Sequence, residues 1–220
     1  MKKVFFGLPC YNYREQEVND TIKALLETKR TFEVTDIREV IGRSAISCVR
    51  NDIAKDFLKS DADYLFFLDS DNNWMFEKET EENPIDKMIF WNKDIISPPM
   101  VTRIQPIRLL YWPMKKTDLN LWDKSQPFQV FHTGAGFTLI TRECIEKVSK
   151  KFPIPFCPMY DRSLDTETSD DVAFMRRARS IGFSIWICPG IKIGHIGKYA
   201  FSPEDIKDYL IEESKRPIKF

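Results

Sequence analysis

Apolar runs alternate along the chain with apolar residues at helical spacing, and the two patterns predict its elements. Short runs predict strands at Lys3–Leu8, Phe32–Ile37, Tyr64–Leu68, Ile95–Val101, Phe137–Ile140 and Phe183–Cys188. Helices are predicted over Glu15–Thr28, Ser44–Leu58, Arg142–Lys150, Asp170–Ile181 and Glu204–Glu213. Another helix is predicted to begin at Asn83-Pro84, where a capping side chain precedes a proline. This alternation is typical of one α/β domain.

Individual residues mark where these elements begin and end. Ser44 is a candidate N-cap, and Ser202-Pro203-Glu204-Asp205 has the pattern of a capping box. Gly182 stands where a helix would end in a left-handed residue. Two Pro-containing stretches, Arg103–Gln129 and Phe152–Ser169, are predicted to be irregular loops.

The run Tyr64–Leu68 contains only apolar residues and ends at Asp69. A strand without polar alternation is typical of a sheet that helices cover on both faces, as in parallel sheets. In such sheets ligands bind at the carboxyl ends of the strands. The side chains directly after Leu68 are therefore candidates for a binding site.

Composition narrows the class of protein. With 220 residues, of which 43% are hydrophobic, the chain can bury a sizeable core, which excludes a disordered chain and a disulfide miniprotein. The 33 basic residues balance 33 acidic ones, so no nucleic-acid partner is expected. Five scattered cysteines without a Cys-x-x-Cys pair indicate reduced thiols and a cytoplasmic location. No apolar stretch is long enough to predict a transmembrane segment.

Two carboxylates, Asp69 and Asp71, follow the buried strand with one residue between them. Carboxylates this close raise each other's pKa unless a cation neutralises them. A hard divalent ion, Mn²⁺ or Mg²⁺, is the natural partner and could bridge to a diphosphate. The alternative is a solvated turn, because Asp, Ser and Asn are common turn residues.

Two later segments carry further candidate chemistry. Asp170 and Asp171 begin a predicted helix, where a carboxylate can act as a general base or can simply complement the helix dipole. Ser169 is a candidate cap for the same helix. His195 stands between two glycines after a strand, which suits a metal ligand, although a single histidine is more often structural.

Taken in this order, the segments resemble the GT-A fold glycosyltransferases, especially the inverting family 2 type. The matching segments are Pro9-Cys10-Tyr11-Asn12, Arg50-Asn51-Asp52-Ile53-Ala54, Asp69-Ser70-Asp71, Gly134-Ala135-Gly136-Phe137, Asp170-Asp171 with Phe174 and Arg177, and His195. The resemblance extends from about Val4 to Gly197. The short chain and its Asp-Ser-Asp sequence also resemble a small glycosyltransferase domain of large algal (chlorella) viruses, which implies a virus-encoded protein acting in the host cytoplasm.

The resemblance assigns roles to particular residues. It implies that Pro9 and Tyr11 line the nucleobase pocket, that Asp36 contacts the base, and that Arg50 lies near the nucleotide. Asp69 would approach the ribose or the metal, Asp71 would bind the metal, and His195 would complete the metal shell. Gly134 and Ala135 would let the backbone approach the donor sugar. Asp171 would deprotonate the acceptor hydroxyl, although Asp170 stands where the family often has Glu.

The resemblance also implies a function and an architecture. The expected activity is metal-dependent transfer of a sugar from a UDP-sugar, of the glucose or rhamnose type, to a hydroxyl of a glycan or glycoprotein acceptor, with inversion. The expected fold is an α/β GT-A fold whose central sheet is mostly parallel and flanked by helices. One domain over 1–220 would contain a nucleotide-binding half (1–100), an acceptor and catalytic half (101–200) and a C-terminal helix (201–220). Membership in a longer multidomain protein is left open.

Two other functions fit parts of the pattern. A non-catalytic module that binds nucleotide sugars or glycans could use the same residues, and Trp112 and Trp122 would suit sugar stacking, with core packing as their alternative role. A phosphatase of the haloacid-dehalogenase type also has Asp-x-Asp after a strand. In such a phosphatase the nucleophilic Asp follows the first strand of the core. Three α/β elements precede Asp69 here, so this function is disfavoured.

Overall fold

The computed structural model describes residues 1–10, 13–43, 45–75, 82–103, 106–162, 165–197 and 200–215. Their strands are β1 Lys2–Cys10, β2 Phe32–Ile41, β3 Tyr64–Leu68, β4 Asn72–Trp74, β5 Ile95–Ser97, β6 Tyr111–Pro113, β7 Phe128–Thr133, β8 Phe137–Thr141, β9 Tyr160–Asp161, β10 Thr166–Glu167, β11 Ile185–Ile187, β12 Ile193–Ile196 and β13 Ala200–Phe201. Their α-helices are α1 Gln16–Glu27, α2 Ile46–Lys59, α3 Pro84–Phe90, α4 Arg142–Lys151, α5 Asp170–Arg179 and α6 Lys207–Lys215.

Eight strands form the central sheet in the order β2-β1-β3-β8-β5-β11-β7-β6. β1 is parallel to β2 and β3, and β5 is parallel to β11, whereas β8 is antiparallel to both β3 and β5. The strands β1, β2, β3, β5 and β11 therefore run in one direction, and β8 and β7 run against them. The expected mixed α/β architecture with a mostly parallel sheet is confirmed.

Two hydrophobic cores lie on opposite faces of this sheet. Alternate residues of β3 enter different cores, since Phe67 packs in one with α2, α4 and α5, and Phe66 packs in the other with α1 and α3. Phe5 and Phe6 of β1 divide in the same way. Because both faces are covered, all five residues of β3 are buried, as their apolar run predicted.

A small sheet, in the order β13-β12-β4, lies beside the carboxyl end of β3. β4 begins directly after the Asp69-Ser70-Asp71 turn, and β12 pairs with it so that His195 is opposite Asn72. This pairing joins two segments that are far apart in sequence. It brings the late histidine to the acidic turn.

Several predicted boundaries are confirmed. The Asn83 side chain accepts a hydrogen bond from the backbone N–H of Ile85 at the start of α3. Ser202 and Asp205 form the expected capping box, although it opens a 3₁₀ turn, Pro203–Ile206, ahead of α6. Gly182 has a φ of +99° shortly after α5, where a left-handed residue was expected.

Other predictions need correction. β2 continues to Ile41, beyond the predicted Ile37, because it pairs along the whole of β1. Ser44 lies outside the described residues, and Ala45 occupies the N-cap position of α2 without a capping side chain. Ser169 at the N-cap of α5 makes no capping hydrogen bond.

The two stretches predicted to be irregular contain regular structure. The first holds β6, two 3₁₀ turns (Lys116–Leu119 and Leu121–Asp123) and the first residues of β7. The second holds the antiparallel pair β9 and β10. The strands β6, β9 and β10 have only two or three residues each, which is too few for an apolar pattern to be seen in the sequence.

Candidate functional site

The acidic turn after β3 is held by backbone hydrogen bonds from three directions. The N–H of Asn72 donates to the carbonyl of Asp69 at 3.2 Å, which closes the turn. The N–H of Asp69 donates to the carbonyl of Gly136 at 2.8 Å, and the N–H of Glu15 donates to the carbonyl of Ser70 at 3.2 Å. The turn therefore has a fixed position at the carboxyl end of β3, where ligands of such sheets bind.

Asp71 faces His195 across the small sheet. The Asp71 Oδ2 atom lies 3.5 Å from His195 Nε2, and His195 Nδ1 is 2.7 Å from the carbonyl oxygen of Val101. Hydrogen bonding to that carbonyl assigns the proton to Nδ1, which leaves Nε2 directed at the carboxylate. The Arg103 guanidinium also contacts Asp71 Oδ2.

These contacts shift the pKa values of both Asp71 and His195. Burial opposes the charge of His195, but the hydrogen bond and charge of Asp71 outweigh it and raise the pKa of the imidazole. Burial likewise opposes ionisation of Asp71, but His195 and Arg103 outweigh it and hold the pKa of the carboxyl below its usual value. The Asp71 carboxylate is therefore ionised at neutral pH.

The chemistry of this donor pair fits a divalent cation. An orienting carbonyl on one ring nitrogen is the usual second shell of a metal-binding histidine. Within the described ranges, no three His, Cys, Asp or Glu side chains come together to hold an ion. Two protein ligands are enough for Mg²⁺ or Mn²⁺ that takes its other ligands from water and substrate phosphates.

Asp69 lines the same cleft as Asp71 and is hydrogen-bonded to Arg50. The Asp69 Oδ2 atom accepts a hydrogen bond from Arg50 Nη2 at 2.7 Å, and burial raises the pKa of the Asp69 carboxyl. Arg50 itself is buried, with only 4% of its side chain exposed. The resemblance implied that Arg50 lies near the nucleotide, and in the structure its side chain hydrogen-bonds to Asp69, which lines the cleft, and to Asp170.

Asp170 and Asp171 have different surroundings at the start of α5. Asp170 is buried and accepts a hydrogen bond from Arg50 Nε at 2.8 Å. Asp171 is partly exposed, and its Oδ1 accepts hydrogen bonds from the Ser169 hydroxyl and from the N–H of Val172. Of the two carboxylates, Asp171 is therefore the more accessible to solvent.

A cleft of about 400 Å³ opens over the acidic turn. It is lined by Pro9, Tyr13, Glu15, Ile46, Asp69, Ser70, Asp71 and Arg103. Pro9, Asp69 and Asp71 were expected here, and Tyr11 lies outside the described residues. Arg103 and Tyr13 were missed because nothing in their neighbouring sequence links them to the acidic turn.

Asp36 is not brought to this cleft. It pairs with Phe5 in the middle of β2, level with Leu65, because β2 continues past the predicted end of the strand. At about 3.3 Å per residue, that position is roughly 13 Å along the strands from Asp69. The side chain is exposed, and its Oδ1 accepts a hydrogen bond from the N–H of Ile37.

The glycine segment before β8 passes behind the acidic turn. Ala135 is buried, and the carbonyl of Gly134 accepts a hydrogen bond from the Thr138 hydroxyl. Gly136 makes the closest approach, because a Cβ atom there would lie 1.9 Å from Asn72 Oδ1 and 3.2 Å from Asp69 Oδ2. The resemblance assigned roles to Gly134 and Ala135, but Gly136 is the glycine that the turn requires.

An exposed tryptophan, Trp112, lies beside His132. The Trp112 ring is 63% exposed and is stacked against His132, with 6.3 Å between ring centroids. His132 is within electrostatic range of Asp171, although burial is the main cause that lowers the pKa of its imidazole. Trp122, the other candidate for sugar stacking, packs against the core instead.

None of the helices in the described part of the chain is long and apolar enough to cross a membrane. No protein-family model and no curated protein sequence matches this chain. Solved structures do match it. A197 from STIV superposes with a TM-score of 0.60 at 19% identity, over 93% of this chain and 91% of that one.

A second solved structure, GalNAc-T7 with UDP, GalNAc and Mn²⁺, superposes with a TM-score of 0.52 at 10% identity. The match covers 89% of this chain and 43% of the other. Identities this low show a likeness of fold alone. Because this neighbour is a GT-A glycosyltransferase, the GT-A-like fold of the chain is confirmed.

Proposed function

We propose that the chain is a metal-dependent glycosyltransferase that moves a sugar from a UDP-sugar to an acceptor hydroxyl with inversion. The observation that carries the proposal is the pairing of Asp71 with His195 Nε2 beside the cleft at the carboxyl end of β3. The glycosyltransferase-like fold supports the same function. UDP is the proposed nucleotide because the GT-A neighbour binds UDP.

Asp71 and His195 would hold the cation, Mn²⁺ or Mg²⁺. When bound, the ion supplies Lewis-acid stabilisation of the negative charge that develops on the departing diphosphate. Pro9 would contact the nucleotide from the wall of the cleft. Arg103, which contacts Asp71 and lines the same cleft, would supply a second positive charge to the diphosphate.

Asp171 is the proposed general base. Its carboxylate lies at the N-terminus of α5 and is partly exposed. It would accept the proton of the acceptor hydroxyl as that oxygen attacks the anomeric carbon from the face opposite the leaving diphosphate. The acceptor would be a glycan or glycoprotein, the donor sugar of the glucose or rhamnose type, and Trp112 would be an acceptor contact.

The melting temperature with UDP or GDP, each in Mn²⁺ or in EDTA, tests the donor site. A ligand at 100 times its Kd adds about 2.7 kcal/mol, which for a chain of this size raises Tm by roughly 5–10 °C. We expect this shift with UDP and Mn²⁺ together, and its loss in Asp71→Asn. Asp61→Asn, an exposed aspartate at the opposite end of β3, is the matched control and should keep the shift. Absence of a shift with either nucleotide would contradict the proposed donor site.

Asp171→Asn separates an enzyme from a non-catalytic binding module. Loss of a general base lowers turnover by about 10²- to 10⁴-fold, while the donor still binds because the cleft residues are unchanged. The measurements are UDP release from a panel of UDP-sugars with and without acceptors, and the UDP-dependent Tm shift. A wild-type chain that binds UDP-sugars and turns none of them over would favour the binding module.

A further inference from the structure

One buried arginine joins two carboxylates that belong to distant elements. Arg50 lies on α2, and its Nη2 and Nε atoms donate to Asp69 at the end of β3 and to Asp170 at the start of α5, at 2.7 Å and 2.8 Å. The Asp170 side chain is 10% exposed and that of Arg50 4%. The Arg50 guanidinium lies over the Phe67 ring, with its Cζ atom 5.1 Å from the ring centroid.

The geometry suits arginine and no other cation. A planar guanidinium presents separate N–H donors on different edges, so one side chain can bind two carboxylates at once. A lysine ammonium at the end of a flexible stem is a single point charge. Burial disfavours a charged Arg50, but Asp69 and Asp170 outweigh it and raise the pKa of the guanidinium, so that it stays charged.

We propose that Arg50 is a positioning residue that fixes the start of α5, and with it Asp171, relative to the acidic turn. This inference rests on the proposed function, in which Asp71 holds the cation and Asp171 is the base. Asp69 is two residues from Asp71, and Asp170 is adjacent to Asp171. Arg50 therefore connects the two halves of the reaction through neighbours of the reacting groups, without touching the nucleotide.

This role predicts an effect on turnover more than on donor binding. The acceptor oxygen must approach the anomeric carbon in line with the leaving diphosphate, and a misplacement of about 1 Å can lower the rate by about 10²-fold. The cleft walls and the Asp71–His195 pair do not include Arg50. The UDP midpoint should therefore change by less than about threefold in Arg50→Lys, because the substitution alters no residue that lines the cleft.

The test compares Arg50→Lys with Arg142→Lys. Arg142 is the control because its guanidinium, partly buried where that of Arg50 is buried, also bridges elements: it donates to the carbonyls of Phe57, Ser60 and Ala62 at the other end of α2. The measurements are kcat and KM for the donor, the UDP midpoint in Mn²⁺, and amide hydrogen exchange. Asp170→Asn, which keeps an oxygen acceptor for Arg50 Nε, is a second and milder variant.

For Arg50→Lys we expect kcat to fall about 10²-fold with an almost unchanged UDP midpoint, and faster exchange in both 69–72 and 170–173. Asp170→Asn should lose less turnover than Arg50→Lys. Arg142→Lys should keep kcat and should speed exchange around Phe57–Ala62. An unchanged kcat, or faster exchange in only one segment, would overturn the inference. A weakened UDP midpoint with unchanged exchange would instead make Arg50 a nucleotide ligand.

The exchange measurement also separates this inference from the proposed function. If the wild-type chain neither binds UDP nor turns over any UDP-sugar, the proposed function fails, and exchange in the two segments still decides whether Arg50 couples them. If the wild-type chain is active and Arg50→Lys exchanges normally in both segments, only the positioning role fails.

Discussion

At the scale of single residues, the site depends on the missing side chain of Gly136. A Cβ atom at this position would lie 1.9 Å from Asn72 Oδ1, and Asn72 is buried beneath the acidic turn. Gly136→Ala should therefore force Asn72 to rotate and should destabilise the chain by about 1–3 kcal/mol, the usual cost of overpacking. Urea unfolding measures the stability, and the UDP-dependent Tm shift reports whether the turn has moved.

Gly134→Ala is the natural control for this prediction. A Cβ atom at Gly134 would make only ordinary contacts, at 3.5 Å from Met100 and 3.6 Å from Leu110. Its stability should stay within about 0.5 kcal/mol of the wild type. Equal losses in the two variants would contradict the assignment of the close approach to Gly136.

At the scale of elements, Asn83 joins two helices with one side chain. Its Oδ1 accepts from the N–H of Ile85 at 3.0 Å, and its Nδ2 donates to the carbonyl of Leu25 near the end of α1 at 2.9 Å. Asn83→Ser should keep the cap and lose the bridge, which leaves a buried carbonyl without its partner at a cost of about 1–3 kcal/mol. Asn83→Ala should lose about 1 kcal/mol more, because it also removes the cap.

Denaturant unfolding of the two Asn83 variants measures both contributions. The order wild type, Ser, Ala in decreasing stability is the expected result. A serine variant as stable as the wild type would show that the bond to Leu25 contributes nothing, and the side chain would then act as a cap alone.

The sequence predicts best the elements whose signal is local. The buried run Tyr64–Leu68 and the cap at Asn83 are both confirmed, because burial of a strand and capping of a helix depend on neighbouring residues. Asp36 shows the limit of this reasoning, since the end of β2 is set by its pairing with β1 and not by its own pattern. The strands β6, β9 and β10 were missed because two or three residues are too few to show an apolar pattern.

Prediction of the candidate site shows the same difference between local signals and long-range contacts. The spacing of Asp69 and Asp71 was visible in the sequence, but their different partners were not, because Arg50 and His195 reach them from α2 and β12. Arg103 and Gly136 owe their importance to contacts with residues more than 30 positions away. Such contacts depend on the order of strands in the sheet, which apolar periodicity does not encode.

At the scale of the whole molecule, the chain has two histidines, and the fold shifts their pKa values in opposite directions. Burial, helped by Arg176 and Arg179, lowers the pKa of His132, while Asp71 outweighs burial and raises that of His195. As the pH falls below about 6.5, the unfolded state protonates His132 more readily than the folded state does, so His132 costs stability. His195 does the reverse, since the folded state takes up its proton first.

The two effects act on opposite sides of about pH 6.5, that of His195 above it and that of His132 below it, and single variants should separate them. In EDTA, the free energy of unfolding of His132→Gln should rise as the pH falls through the raised pKa of His195. The free energy of unfolding of His195→Gln should fall as the pH drops below about 6.5, because only the destabilising protonation of His132 remains. Each slope is at most about 1.4 kcal/mol per pH unit, and urea unfolding at several pH values measures it. Slopes of the same sign in both variants would contradict the opposite surroundings of the two rings.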